Sequence, residues 1–141
     1  MTVQHNTNDP LRELIADDMV EVDRVKLTKI LKSYIVFDAN SALNTLEKFD
    51  KLPNQEKILI LLVASKAKSL LFDVEEGMTP SEIIELDVMP VGSVKSSLKK
   101  LLEVNKDIKK KDSKYYLPNY RLARYAERFA ALGGANHGDI Q

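Results

Sequence analysis

Residues Met78 to Pro118 read MTPSEIIELDVMPVGSVKSSLKKLLEVNKDIKKKDSKYYLP. Thr79-Pro80-Ser81-Glu82 forms a capping box: Thr79 is the N-cap and Glu82 stands three residues on. Pro80 falls at the first helical position, where its missing N–H costs nothing. Met78 and Ile83 hold the two positions of a hydrophobic staple. The helix carries Ile83, Ile84 and Leu86 and ends near Asp87. Val88-Met89-Pro90 turns the chain, and Pro90 opens a second helix to about Val104. On a 100° wheel Val94, Leu98, Leu101 and Leu102 share one face of it. Gly92, Ser96, Lys99 and Lys100 lie opposite, with Ser93 and Lys95 on the flanks. Residues 108–111 and 114–117 then make two short strands around Asp112-Ser113.

Downstream, Pro118-Asn119 opens a last helix with Leu122, Tyr125, Ala126 and Phe129 as inner stripe and Arg121, Arg124 and Arg128 on another side. Gly133-Gly134 stops it, and residues 135–141 form a loose tail. Upstream, Leu52-Pro53-Asn54 breaks the chain. Asn54 is an N-cap type, and Glu56 sits in the first turn, where the helix dipole favours an acid. From there to Phe72 the sequence is apolar on most sides, as suits a helix at the centre of a core. The run at 58–63 alone also fits a buried strand, but its continuation through Ala64, Lys66, Ala67 and Lys68 favours helix. Residues 73–77 form an acidic loop.

In residues 9–52, Asp9-Pro10 starts a short amphipathic helix to about Asp17, with Leu11, Leu14 and Ile15 on one side. A further helix spans about Asp23 to Ser33, with Val25, Leu27, Ile30 and Leu31 at helical spacing. Tyr34 to Phe37 suits a strand, Asp38 to Ser41 is turn chemistry, and 43–49 is the returning strand. A single helix over 41–49 is the rival reading. Residues 1–8 are polar and aperiodic, without the basic start and apolar segment of a secretion signal.

The 141 residues fit one domain with an N-terminal extension, divided as 1–8, 9–52, 53–132 and 133–141. With no cysteine, disulfides and thiolate metal sites are excluded, and a cytoplasmic location is expected. No apolar run approaches the roughly 20 residues that span a bilayer. The net charge is zero but segregated. Residues 1–89 hold ten basic and sixteen acidic residues, a net −6; residues 90–128 hold eleven and four, a net +7. Such asymmetry favours a polyanion at the basic part.

The segment PVGSVKSSLKKLLEVNKDIKKKDSKYYLP is similar to the recognition helix and wing of prokaryotic, archaeal-looking winged-helix regulators, a resemblance covering roughly residues 53–132. It implies a mainly α (α+β) winged helix-turn-helix, binding double-stranded DNA, often as a homodimer, and a role in transcription regulation. The second helix of such a motif enters the major groove. Ser93, Lys95, Ser96, Lys99 and Lys100 are then the helix contacts, and Lys109, Lys110, Lys111 and Lys114 the wing contacts. With no Asn, Gln or Arg outward, affinity is expected to rest on phosphates and to fall steeply with salt. Tyr125 and Phe129 of the last helix, and the hairpin at 34–49, are candidate dimer surfaces. The alternative is a winged-helix assembly module that does not touch DNA.

No catalytic, cofactor or small-molecule site is expected. His5 and His137 sit in the two ends, no Ser–His–Asp or Cys–His set can be assembled, and no phosphate loop is present. Asp17-Asp18, Glu21 and Asp23 fit no oxygen-ligand loop and read as a solvated turn, so no metal is expected.

Overall fold

The computed structural model describes residues 10–14 and 24–129. The expectations for residues 1–8, for the acidic cluster at 17–23, for Gly133-Gly134 and the tail, and for both histidines lie outside them.

The described chain is mainly helical, with two small antiparallel hairpins. Pro10–Leu14 forms a 3-10 turn with Leu11 and Leu14 exposed. Helix α1, Arg24–Leu31, buries Leu27, Ile30 and Leu31, which recur at i, i+3 and i+4. Val25, read as part of that stripe, is exposed instead, because it lies on the opposite side of the wheel. Strands β1, Ile35–Phe37, and β2, Leu43–Thr45, pair antiparallel with Ile35 opposite Thr45 and Phe37 opposite Leu43. The Asp38 carboxylate closes their turn by accepting from the Asn40 and Ala42 amides at 2.8 and 3.0 Å. The hairpin reading therefore holds over its first half. The returning strand stops at Thr45, and Glu47–Asp50 makes one turn of helix, α2, which seats Phe49 in the core.

Helix α3, Asn54–Phe72, is the axis of the molecule. Residues 58–64 are entirely buried, so the run that also fits a strand is helical and enclosed on all sides. Its start differs from expectation by one residue. Pro53, extended at φ −60° and ψ 157°, takes the cap position without a side-chain cap bond, and Asn54 is already helical. Asp73, at φ +55°, ends the helix.

Gly77 and Met78 then tie the chain back to α3 and forward to Tyr115. The Gly77 amide donates to Ser65 Oγ at 2.7 Å. Met78 exchanges two backbone hydrogen bonds with Tyr115, at 3.0 and 2.8 Å. Gly77 has φ +111°, and a Cβ there would stand 3.0 Å from the Lys114 Cβ, so this crossing requires glycine.

Helix α4, Pro80–Glu85, carries the full capping box: Thr79 Oγ1 accepts from the Glu82 amide at 3.1 Å, and the Glu82 carboxylate accepts from the Thr79 amide at 2.8 Å. After a reversal with Asp87 at φ +56°, helix α5 spans Val91–Lys99 and continues through a wider i→i+5 turn, Lys100–Val104. Lys106, at φ +58°, reverses the chain again. Strands β3, Lys109–Lys111, and β4, Lys114–Tyr116, form the second hairpin, in register from Lys109↔Tyr116 to Lys111↔Lys114. A 3-10 turn, Asn119–Arg121, leads into helix α6, 122–129.

Among the described residues one hydrophobic cluster runs from Leu27 on α1 to Phe129 on α6, around α3. Tyr125 and Phe129 are each 1% exposed, with Tyr34 edge-on to Phe129 at 6.0 Å. Those two aromatics are core, which removes them as a dimer surface. No helix among the described residues is long and apolar enough to cross a membrane.

Candidate nucleic-acid interface

Helix α5 is held by one stripe and by both ends. Val94, Leu98 and Leu101 are buried, with Ser97 beside them. At its start, the Lys57 ammonium donates to the Val88 carbonyl at 3.1 Å, tying the preceding turn to α3. At its finish, the Asn105 side-chain amide donates to Gln55 Oε1 at 3.1 Å. The opposite face is left to solvent: Lys95, Ser96, Lys99 and Lys100 are exposed, and Ser93 is half-buried. Among the described residues Lys95, Lys99 and Lys100 have no carboxylate partner. Gly92, in the first turn, is exposed, and nothing lies within 4 Å of where its Cβ would stand. Neither φ nor packing there demands glycine.

The hairpin lysines divide. Lys109, Lys110 and Lys111 are exposed along β3. The Lys109 ammonium lies 5.3 Å from the Tyr120 ring centroid and that of Lys110 5.4 Å from Tyr115, within cation–π range. Lys114 is half-buried and sits 3.4 Å from the exposed Glu75 carboxylate. It is therefore partly compensated, unlike the lysines of α5. Tyr115 and Tyr116 are half-buried, as an anchoring role requires.

Sequence patterning did not single out Lys66. It sits on α3 at 1% exposure, its ammonium donating to Glu76 at 2.6 Å and to Asn119 Oδ1. This clasp joins α3, the acidic loop and the turn before α6, so Glu76 is a structural partner rather than a solvated charge. Its only trace in the sequence is a cation in the middle of a helix apolar on most sides, one of three lysines there.

The arginines of the last helical segment are also occupied. Arg121 bonds Asp107 at 2.9 Å, Arg124 lies 3.7 Å from the same carboxylate, and Arg128 pairs with Glu56. Asp107 also accepts from the buried Tyr125 hydroxyl, whose pKa is raised by burial first and by that bond second. Burial likewise raises the Glu56 carboxyl, against the downward pull of Arg128, and Asp107 adds a smaller upward push. Burial, then Glu56, raises the Tyr34 hydroxyl. Glu56 Oε1 is buried with no hydrogen-bond partner among the described residues.

The cations of these elements include two contrasting populations, those bound internally by Glu56, Glu76 and Asp107 and those turned outward on α5 and β3, with Lys114 on Glu75 between them. Among the described residues no group of three or more His, Cys, Asp or Glu is placed to hold a metal ion. Comparison with protein-family models, curated proteins and solved structures finds no match.

Proposed function

We propose that the chain is a winged-helix DNA-binding protein, a transcriptional regulator that holds duplex DNA through helix 90–104 and the hairpin 108–117. The order of elements supports this: a long helix, an extended residue pairing with the hairpin, a short capped helix, a turn, a lysine helix, then the hairpin. In a helix-turn-helix the second helix lies in the major groove. That role falls to α5, and the lysine hairpin that follows it in the chain is the wing.

The observation that carries the proposal is the set of uncompensated ammonium groups of Lys95, Lys99 and Lys100 on a helix anchored from behind, followed by Lys109–Lys111 on an exposed strand. Lysine binds phosphate as a point charge and says little about sequence, whereas Ser93 and Ser96 can bond phosphate or a base edge. Binding is therefore held mostly by the backbone.

Fluorescence anisotropy with labelled duplex DNA tests this. Binding is expected at low salt, with affinity falling by about three orders of magnitude between about 50 and 200 mM salt if about six phosphates are neutralised. The triple variant Lys95→Glu/Lys99→Glu/Lys100→Glu is expected to abolish it. Absence of binding at low salt, or an unchanged affinity in the triple variant, refutes the proposal.

A further inference from the structure

A second surface on the molecule shares no residue with the lysine face. Helix α1, strand β1 and the C-terminal half of α3 enclose an open groove of about 190 Å³. Its walls are apolar, and Val36, Leu70 and Leu71 stand exposed along it, Leu71 at 60%. At the α3 end Phe37 and Phe72 meet edge-to-face at 5.8 Å, with Phe72 still partly exposed. A helix end that keeps three consecutive apolar residues, Leu70 to Phe72, in contact with water is unusual for a surface made only to be wet.

Among the described residues the charges lining the groove are both positive: Arg24 and Lys32, near the two ends of α1. Eight residues apart on a helix, they stand about 12 Å from each other. Among the described residues neither has a carboxylate partner. This decides between occupants. A second copy docked groove-to-groove across a two-fold axis would set Arg24 and Lys32 of one copy against the same two cations of the other, with no acid among the described lining residues to offset them. A nucleic acid would set its phosphates against apolar walls. An amphipathic helix with carboxylates flanking its apolar stripe satisfies both features: leucine-like side chains at i, i+3, i+4 and i+7 fill the groove, and acids about two turns apart reach Arg24 and Lys32.

We propose that this groove docks an acidic amphipathic helix of a partner protein. The assignment is independent of the DNA reading, because it uses different residues and its test contains no nucleic acid.

The probe is a stapled, fluorescein-labelled peptide of about 15 residues, long enough to stay helical. It carries leucines at the four anchor positions and glutamates beside them; a twin has lysines for glutamates. With the full chain, the glutamate peptide is expected to bind about tenfold tighter than its twin, the sum of two exposed charge pairs gained and two repulsions avoided. Leu71→Asp, at an exposed position, is expected to weaken binding while the circular dichroism spectrum is unchanged. Arg24→Glu/Lys32→Glu is expected to invert the preference between the twins. Equal affinity for both peptides, no binding of either, or failure of the double variant to invert the order overturns the proposal. So does a dimer in sedimentation that Leu71→Asp dissociates, which would give the groove to a second copy.

Discussion

Glu56 is a carboxylate held in the first turn of a buried helix, with one oxygen on Arg128 and the other without a hydrogen-bond partner among the described residues. Because burial raises its folded pKa above the ordinary 4.5, its contribution to stability is fully present below that value and is lost as pH rises through the folded pKa. Glu56→Gln removes the ionisation. In urea unfolding across a pH series, the variant is expected to gain on the parent as pH rises from 4.5 and then to keep a constant lead. A lead independent of pH would mean that the arginine fully offsets the burial. Gly92 is the opposite case, a residue the fold does not require. Alanine has room there and better helix propensity, so Gly92→Ala is expected to raise stability by roughly 0.5–1 kcal/mol. If the bare backbone serves close approach to DNA, the same variant binds duplex more weakly. Opposite signs in thermal unfolding and anisotropy would separate a functional glycine from a neutral one.

The hairpin β3–β4 is positioned by local chemistry that can be removed piece by piece. Gly77 allows the crossing at which Met78 meets Tyr115. Gly77→Ala forces a side chain into a positive-φ position 3.0 Å from Lys114 Cβ and is expected to cost about 1–3 kcal/mol in chemical denaturation. Thr79→Ala loses a cap bond and is expected to cost about 1 kcal/mol, without altering contacts elsewhere. These two elements also show what a sequence discloses. The capping box of α4 is legible because its partners lie within four residues. The lysine stripe of α5 is legible because helical period alone places it. The widened turn at Lys100–Val104 and the early end of β2 at Thr45 are not, since both answer to packing against distant elements. Asn54 has the composition of a cap, yet Pro53 occupies that position because its fixed φ and extended ψ already interrupt the helix.

At the scale of the whole molecule, the +7 segment overstates the charge available to a partner. Long-range pairings decide which cations remain, and a sequence does not print them: Arg128 closes on Glu56 across 72 positions, and Lys114 lies against Glu75. The salt dependence of the proposed DNA binding can tell the two populations apart. Replacing Lys95 or Lys99 by Gln is expected to lower the slope of log affinity against log salt by about 0.9 each, one phosphate contact apiece. Arg128→Gln is expected to leave that slope unchanged, since its charge is already matched. Two reversals bracket α5. Asp87 and Lys106 both hold left-handed backbone conformations, and neither reversal has a glycine. The conformational freedom of the lysine helix is therefore surrendered during folding, before any partner arrives. Such a preorganised element loses little entropy on docking. On the proposed DNA reading, its encounters should accordingly be fast and guided by charge, and the lifetime of the complex, rather than its rate of formation, should distinguish one DNA site from another.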